Sequence, residues 1–131
     1  DTDPNRLAQA VLEGVAFALA DGLDVLREAG TEVAELAVIG GGARSRYWGE
    51  TLAAAMEVPL VYLQGGEVGP ALGAARLAQI AVDGGTPAEV CVAPPVSHRI
   101  APDAELTARL APKKAVFRAA YAQISPLTHS N

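Results

Sequence analysis

The chain has 131 residues, half of them apolar, with a formal charge of −5 and a single cysteine. This is the length of one domain with enough apolar side chain to bury a core, so it is not a disordered tail, and no apolar run reaches the roughly 18 residues of a membrane span. The acidic balance repels nucleic acid, whose binding rests on clustered Lys and Arg, and Cys91 can form neither an internal disulfide nor a metal cluster, which gives a reduced, cytoplasmic setting as the default.

Asp3 and Pro4 predict a helix start, the first as cap and the second at a position where a missing N–H is harmless. The helix runs to about Ala29 on the recurrence of Leu7, Val11, Val15, Leu19 and Leu26, with Leu12, Ala16 and Leu23 widening the stripe. Gly14 and Gly22 inside it are read as points of close packing, and Gly30 as a left-handed cap. Leu36-Ala37-Val38-Ile39 predicts a strand that Gly40-Gly41-Gly42 breaks. A helix follows from about Ser45 to Met56, with Trp48, Leu52 and Met56 on one face, and Leu60-Val61-Tyr62-Leu63 is the second strand. Strand, helix and strand at this spacing form a parallel unit with a right-handed crossover.

The turn Gly65-Gly66-Glu67-Val68-Gly69 opens an Ala-rich helix from Pro70 to about Val82, stopped by Asp83-Gly84-Gly85. Residues 86–102 read as an irregular surface crossing because of Pro87, Pro94, Pro95 and Pro102. Two helical pieces close the chain, Asp103 to Leu110 and Lys113 to Ile124, the second with Val116, Phe117, Ala120, Tyr121 and Ile124 on an apolar face. Residues 1–85 therefore form a helix-strand-helix-strand-helix core, and residues 86–131 an irregular crossing with C-terminal helices. Two strands, apolar on consecutive residues as doubly covered strands are, are too few for a stable open sheet. They are expected to pair with strands this sequence lacks, and the start at Asp1, without an initiator Met, reads as the middle of a longer gene product.

The Gly40-Gly41-Gly42 turn places bare backbone at the mouth of a sheet, where a purine or phosphate can reach the main chain. An ordinary turn needs the same residues. Ser45 can cap the helix or hydrogen-bond a ribose or base edge. The dinucleotide fingerprint G-x-G-x-x-G fails, with Ser45 in place of its last glycine and Gln64 where an acidic residue is wanted, and no phosphate loop G-x-x-x-x-G-K-[ST] occurs. Other chemistry-bearing residues take plain readings. Asp21, Asp24 and Glu28 form a solvated helix face and Lys113-Lys114 a solvated turn. Arg44 faces solvent, His98 and His129 are structural or incidental, and Cys91 is a small apolar residue.

Three blocks, LAQAVLEGVAFAL (7–19), VIGGGARSRYW (38–48) and GGEVGPALGAARLAQ (65–79), resemble in order and spacing the last third of carbohydrate kinases of the FGGY family. The third block is similar to the xylulokinase branch more than to glycerol or gluconate kinases. The resemblance covers the chain to about Tyr121 and implies an α/β fold, the later half of a ribonuclease H-like (ASKHA, actin-like ATPase) C-terminal domain with an incomplete sheet flanked by helices. It puts the adenosine-binding loop on Gly40, Gly41, Gly42 and Ser45, the last standing where related kinases often have Asn. It also implies ATP and Mg²⁺, with catalytic Asp, metal and sugar ligands on segments before Asp1, a ketose substrate such as D-xylulose, and no activity for these residues alone. Partners would be the upstream segments of the same kinase, with homodimerisation open and neither nucleic acid nor membrane involved. A stand-alone, non-catalytic nucleotide-binding or interaction domain that pairs with another chain is the alternative.

Overall fold

The Asp3 carboxylate accepts a hydrogen bond from the Asn5 N–H at 2.9 Å, and from there helix α1 runs over Pro4–Glu28. It stops where Gly30 takes φ 88°, with Gly30 N–H donating to the Arg27 carbonyl and Thr31 N–H to the Leu26 carbonyl, a left-handed C-terminal cap. The structure, a computed structural model, describes residues 3–66 and 69–128. Glu67, Val68 and His129 lie outside the described residues. The order continues with β1 (Leu36–Val38), a 3₁₀ turn (Gly41–Arg44), α2 (Arg46–Met56) and β2 (Leu60–Leu63). Then come α3 (Gly69–Asp83), α4 (Pro87–Val90), β3 (Val96–Ile100) and α5 (Ala104–Thr128).

The sheet has the order β1-β2-β3. β1 and β2 are parallel, with Leu36, Ala37 and Val38 opposite Leu60, Val61 and Tyr62. β3 runs antiparallel to β2, with Tyr62 opposite His98 and Leu60 opposite Ile100. This corrects two expectations. Residues 86–102 are not irregular throughout, because a short helix and a strand lie within them. Nor does β2 lack partners: it is central, and among the described residues β1 and β3 are the sheet's two edges. An edge strand tolerates the Pro94-Pro95 entry and the polar Ser97-His98-Arg99 run that disguise β3 in sequence.

Leu60, Tyr62, His98 and Ile100 share the sheet face on which α2 lies, and α1 and α5 pack on α2. The shared core contains Ala16, Phe17, Leu23, Leu52 to Ala55, Val58, Leu60, Tyr62 and Leu110. Gly49 in α2 makes the close approach possible. A Cβ there would lie 2.7 Å from Ile100 Cδ1 and closer still to the Tyr62 hydroxyl. Gly14 and Gly22 make no comparable approach, since a Cβ at Gly22 meets nothing and one at Gly14 only touches Phe117. On the other face, Glu35 and Arg99 bridge at 3.0 Å across the row that holds Ala37 and Val61.

Helix α1 buries only the margin of the expected stripe, Ala16 and Leu23, together with Phe17 and Ala20. These four face the core, whereas Leu7, Val11, Val15, Leu19 and Leu26 are 47–67% exposed. The helix is apolar on two sides, and the other described elements cover one. Helix α3 buries no residue. Its tie to the following segment is a hydrogen bond from Arg76 to the Val92 carbonyl.

The C-terminal pieces are one helix, not two. Pro112 sits inside α5, where proline removes a backbone bond and costs about 3 kcal/mol. Side chains on both sides of it hold the helix in place. Leu110 is buried, and Phe117 packs on Phe17 with ring centroids 5.8 Å apart. Lys113 Nζ donates to both Glu13 oxygens at 2.8 Å, and Lys114 donates to Asp24 at 3.1 Å. Arg118 donates to Asp21 and Asp24, each at 2.6 Å. The Lys113-Lys114 doublet is thus no solvated turn, and Asp21 and Asp24 no solvated face. They bind α5 to α1, and of the three carboxylates Glu28 remains the exposed one. Of the apolar face expected on this helix, Phe117 joins the core while Val116, Tyr121 and Ile124 stay exposed.

Candidate functional site

Because β1 and β2 are parallel, their chains leave the sheet at the same edge, and the turns that follow them meet. Gly40 has φ 84° and ψ −177°, a conformation open essentially to glycine alone. Its N–H donates to the Gly66 carbonyl at 3.2 Å. A Cβ on Gly69 would lie 3.3 Å from the Ile39 side chain, so the two turns are braced against each other.

After Gly40 the chain tightens. Ala43 N–H donates to the Gly40 carbonyl at 3.0 Å and Ser45 N–H to the Gly42 carbonyl at 3.1 Å. Ser45 caps α2, its Oγ accepting the Trp48 N–H at 3.2 Å. The Trp48 indole lies over Gly42, where a Cβ would be 3.3 Å from Cδ1. Gly41 is exposed, and a Cβ on it would meet nothing within 4 Å. Among the described residues, the N–H groups of Gly41 and Gly42 have no acceptor. Unpaired donors on bare main chain next to a helix start suit an anion or the edge of a polar ring.

The sequence-predicted residues Gly40, Gly41, Gly42 and Ser45 thus form one continuous turn. Beside it lies a cavity of about 160 Å³ lined by Val38, Ala43, Arg44, Tyr62, Leu63, Gln64, Gly65, Gly66, Ser97 and His98. A wider groove of about 1010 Å³ between α2, β3 and the start of α5 shares Ala43, Arg44, Tyr62 and His98 with it. Arg44 is exposed, as expected, but on the wall of both spaces. Arg46 and Arg99, also on the groove wall, are paired with Glu50 at 2.8 Å and Glu35 at 3.0 Å.

Sequence reasoning missed three contributors. His98 is in a strand, its ring stacked on Tyr62 at 4.3 Å between centroids and 9° between planes. Tyr62 is buried with no partner for its hydroxyl, and burial pushes its pKa up from 10.0. Gly49 and Ala53, small residues four apart on α2, were the available signal that this helix sits close to something. Cys91 is exposed and stands at the C-terminal cap of the short α4. Among the described residues no group of three or more His, Cys, Asp or Glu is placed to hold a metal ion, and no helix is long and apolar enough to cross a membrane.

Residues 1–82 match the family described as the C-terminal domain of the FGGY family of carbohydrate kinases. The chain is 48% identical to a xylulose kinase of Escherichia coli K12 over 95% of its own length and 26% of the relative's. It superposes on a xylulose kinase from Rhodospirillum rubrum with a TM-score of 0.74 at 28% identity, covering 98% of this chain and 26% of that one. A crystal structure of a xyloylose kinase from Brucella ovis gives a TM-score of 0.80 at 40% identity, with 97% and 26% covered. The chain spans about a quarter of the length of these relatives, and its helix-rich α/β fold with a short sheet is the one found in these kinases of the actin-like ATPase class. The family match over residues 1–82 and the identity across nearly the whole chain show that it belongs to the FGGY carbohydrate kinases, as their C-terminal domain.

Proposed function

We propose that this chain supplies the adenosine side of an ATP cleft in a kinase that transfers the γ-phosphate of ATP to D-xylulose, giving the 5-phosphate. The observation that carries the nucleotide assignment is the turn after β1, where Gly41 and Gly42 offer unpaired N–H groups at the end of two parallel strands. Gly40, Gly41 and Gly42 would take the nucleoside against bare main chain, with Ser45 holding the following helix in position. The sugar is proposed from relatives that are themselves xylulose kinases. Phosphoryl transfer also needs a base for the attacking hydroxyl and charge neutralisation by Mg²⁺. On the family resemblance both are assigned to segments outside this chain, whose own residues alone would be inactive.

A coupled assay of the full-length protein with ATP and D-xylulose tests this reading. Turnover with xylulose is expected. Turnover on glycerol or gluconate instead would move the assignment within the family. Gly41→Ala, whose Cβ would hold the nucleoside off the main chain, is expected to raise the KM for ATP about tenfold, a loss of about 1.4 kcal/mol, without lowering the melting temperature, because the added Cβ meets no protein atom within 4 Å. A non-catalytic interaction domain is the second reading, favoured by the open β1 edge and the exposed stripe on α1. An intact gene product of this length, with no kinase activity, would support it.

A further inference from the structure

We propose that His98 is a base-stacking residue of the nucleotide site, taking one face of the nucleobase ring while the Arg44 guanidinium takes the other. This inference rests on the nucleotide reading above and extends the site from the glycine turn onto β3. His98 stacks one ring face on Tyr62, 4.3 Å away between centroids and nearly parallel at 9°, and Tyr62 is fixed in the central strand beneath α2. The His98 ring is therefore held in place, yet the residue is exposed, so its open surface is the face and edge turned away from Tyr62. His98 lines the cavity of about 160 Å³ beside the glycine turn, and a space of roughly 150 Å³ accepts a single aromatic ring. Arg44 lines the same cavity and, among the described residues, has no carboxylate partner, unlike Arg46 and Arg99. An unpaired guanidinium stacks readily on a flat ring. Gln64 and Ser97 border the cavity as polar groups within reach of a ring edge.

The test measures binding of ATP and of inorganic tripolyphosphate, which has no base, to the full-length protein by calorimetry. His98→Ala is expected to weaken ATP about tenfold, the usual weight of one base–aromatic stack, and to leave tripolyphosphate unchanged. His98→Phe should restore ATP binding, and Arg44→Ala should again weaken ATP more than tripolyphosphate. Unchanged ATP affinity in His98→Ala, with Gly41→Ala weakened, overturns the role of His98 and leaves the glycine-turn reading intact. Equal losses for ATP and tripolyphosphate in His98→Ala also overturn it, since they point to phosphate contact. Wild-type protein that binds tripolyphosphate and ATP equally would overturn both readings together.

Discussion

Gly49→Ala is the substitution whose cost the structure sets most directly. Helix α2 approaches the sheet at this residue, and an added Cβ would lie 2.7 Å from Ile100 Cδ1, nearer still to the Tyr62 hydroxyl and 3.3 Å from Tyr62 Cζ. Tyr62 cannot swing away, being in the central strand and stacked on His98, so the helix must move outward. Overpacking of this kind costs about 1–3 kcal/mol, here at the upper end, while Ala in place of Gly inside a helix returns about 1 kcal/mol. The net expectation is a loss of about 2 kcal/mol in urea unfolding. Tyr62→Phe supplies the control. Its hydroxyl is buried without a partner, so removing it should stabilise by about 1 kcal/mol, and Gly49→Ala in that background should cost about half as much. A neutral or stabilising Gly49→Ala would refute the packing argument. A Tyr62→Phe variant that loses stability would show that the hydroxyl has a partner.

Two further outcomes follow from the α1–α5 ion pairs. Lys113→Met strands the Glu13 carboxylate, which is 8% exposed and keeps only the Gln9 amide at 2.7 Å. The lysine itself is half exposed, so a loss of about 2 kcal/mol is expected rather than the full cost of a buried pair. An unchanged urea midpoint would show that water already serves Glu13. Burial pushes the Asp24 carboxyl up, but hydrogen bonds from Lys114, Arg118 and Arg27 outweigh it and hold its pKa below the usual 3.8. A carboxyl depressed in the folded state contributes stability above its unfolded pKa and loses it as pH falls through the folded value. Asp24→Asn should therefore be less stable than wild type at pH 7, with the gap closing below about pH 4; a gap independent of pH would contradict the pairing.

What could be read from sequence was what local signals carry. Asp3, Pro4 and Gly30 delimit α1, Ser45 and Met56 delimit α2, and the glycine turn lies where the broken strand pattern puts it. Periodicity centred one wide apolar stripe on Leu7, Val11, Val15, Leu19 and Leu26 and so missed the buried side of α1, because Ala16 and Ala20 weigh little beside Leu and Val. Strand β3 and the continuity of α5 were hidden by proline, whose local penalty was outweighed by distant partners: Tyr62 for His98, Glu13 for Lys113, Asp24 for Lys114. The same reason concealed the wall of the candidate site. The turn residues are local in sequence, while Arg44 and His98 come together only through the antiparallel pairing of β3 on β2.

The bond between Gly40 and Gly66 has a mechanical side. Helix α3 begins three residues after Gly66, buries none of its residues, and rests its first glycine on Ile39. Fifteen residues of helix make a rod about 22 Å long whose first residue meets the end of β1. The first residue of α3 and the seat proposed for the nucleoside thus lean on the same short stretch, Ile39-Gly40, so a shift of one would be felt by the other.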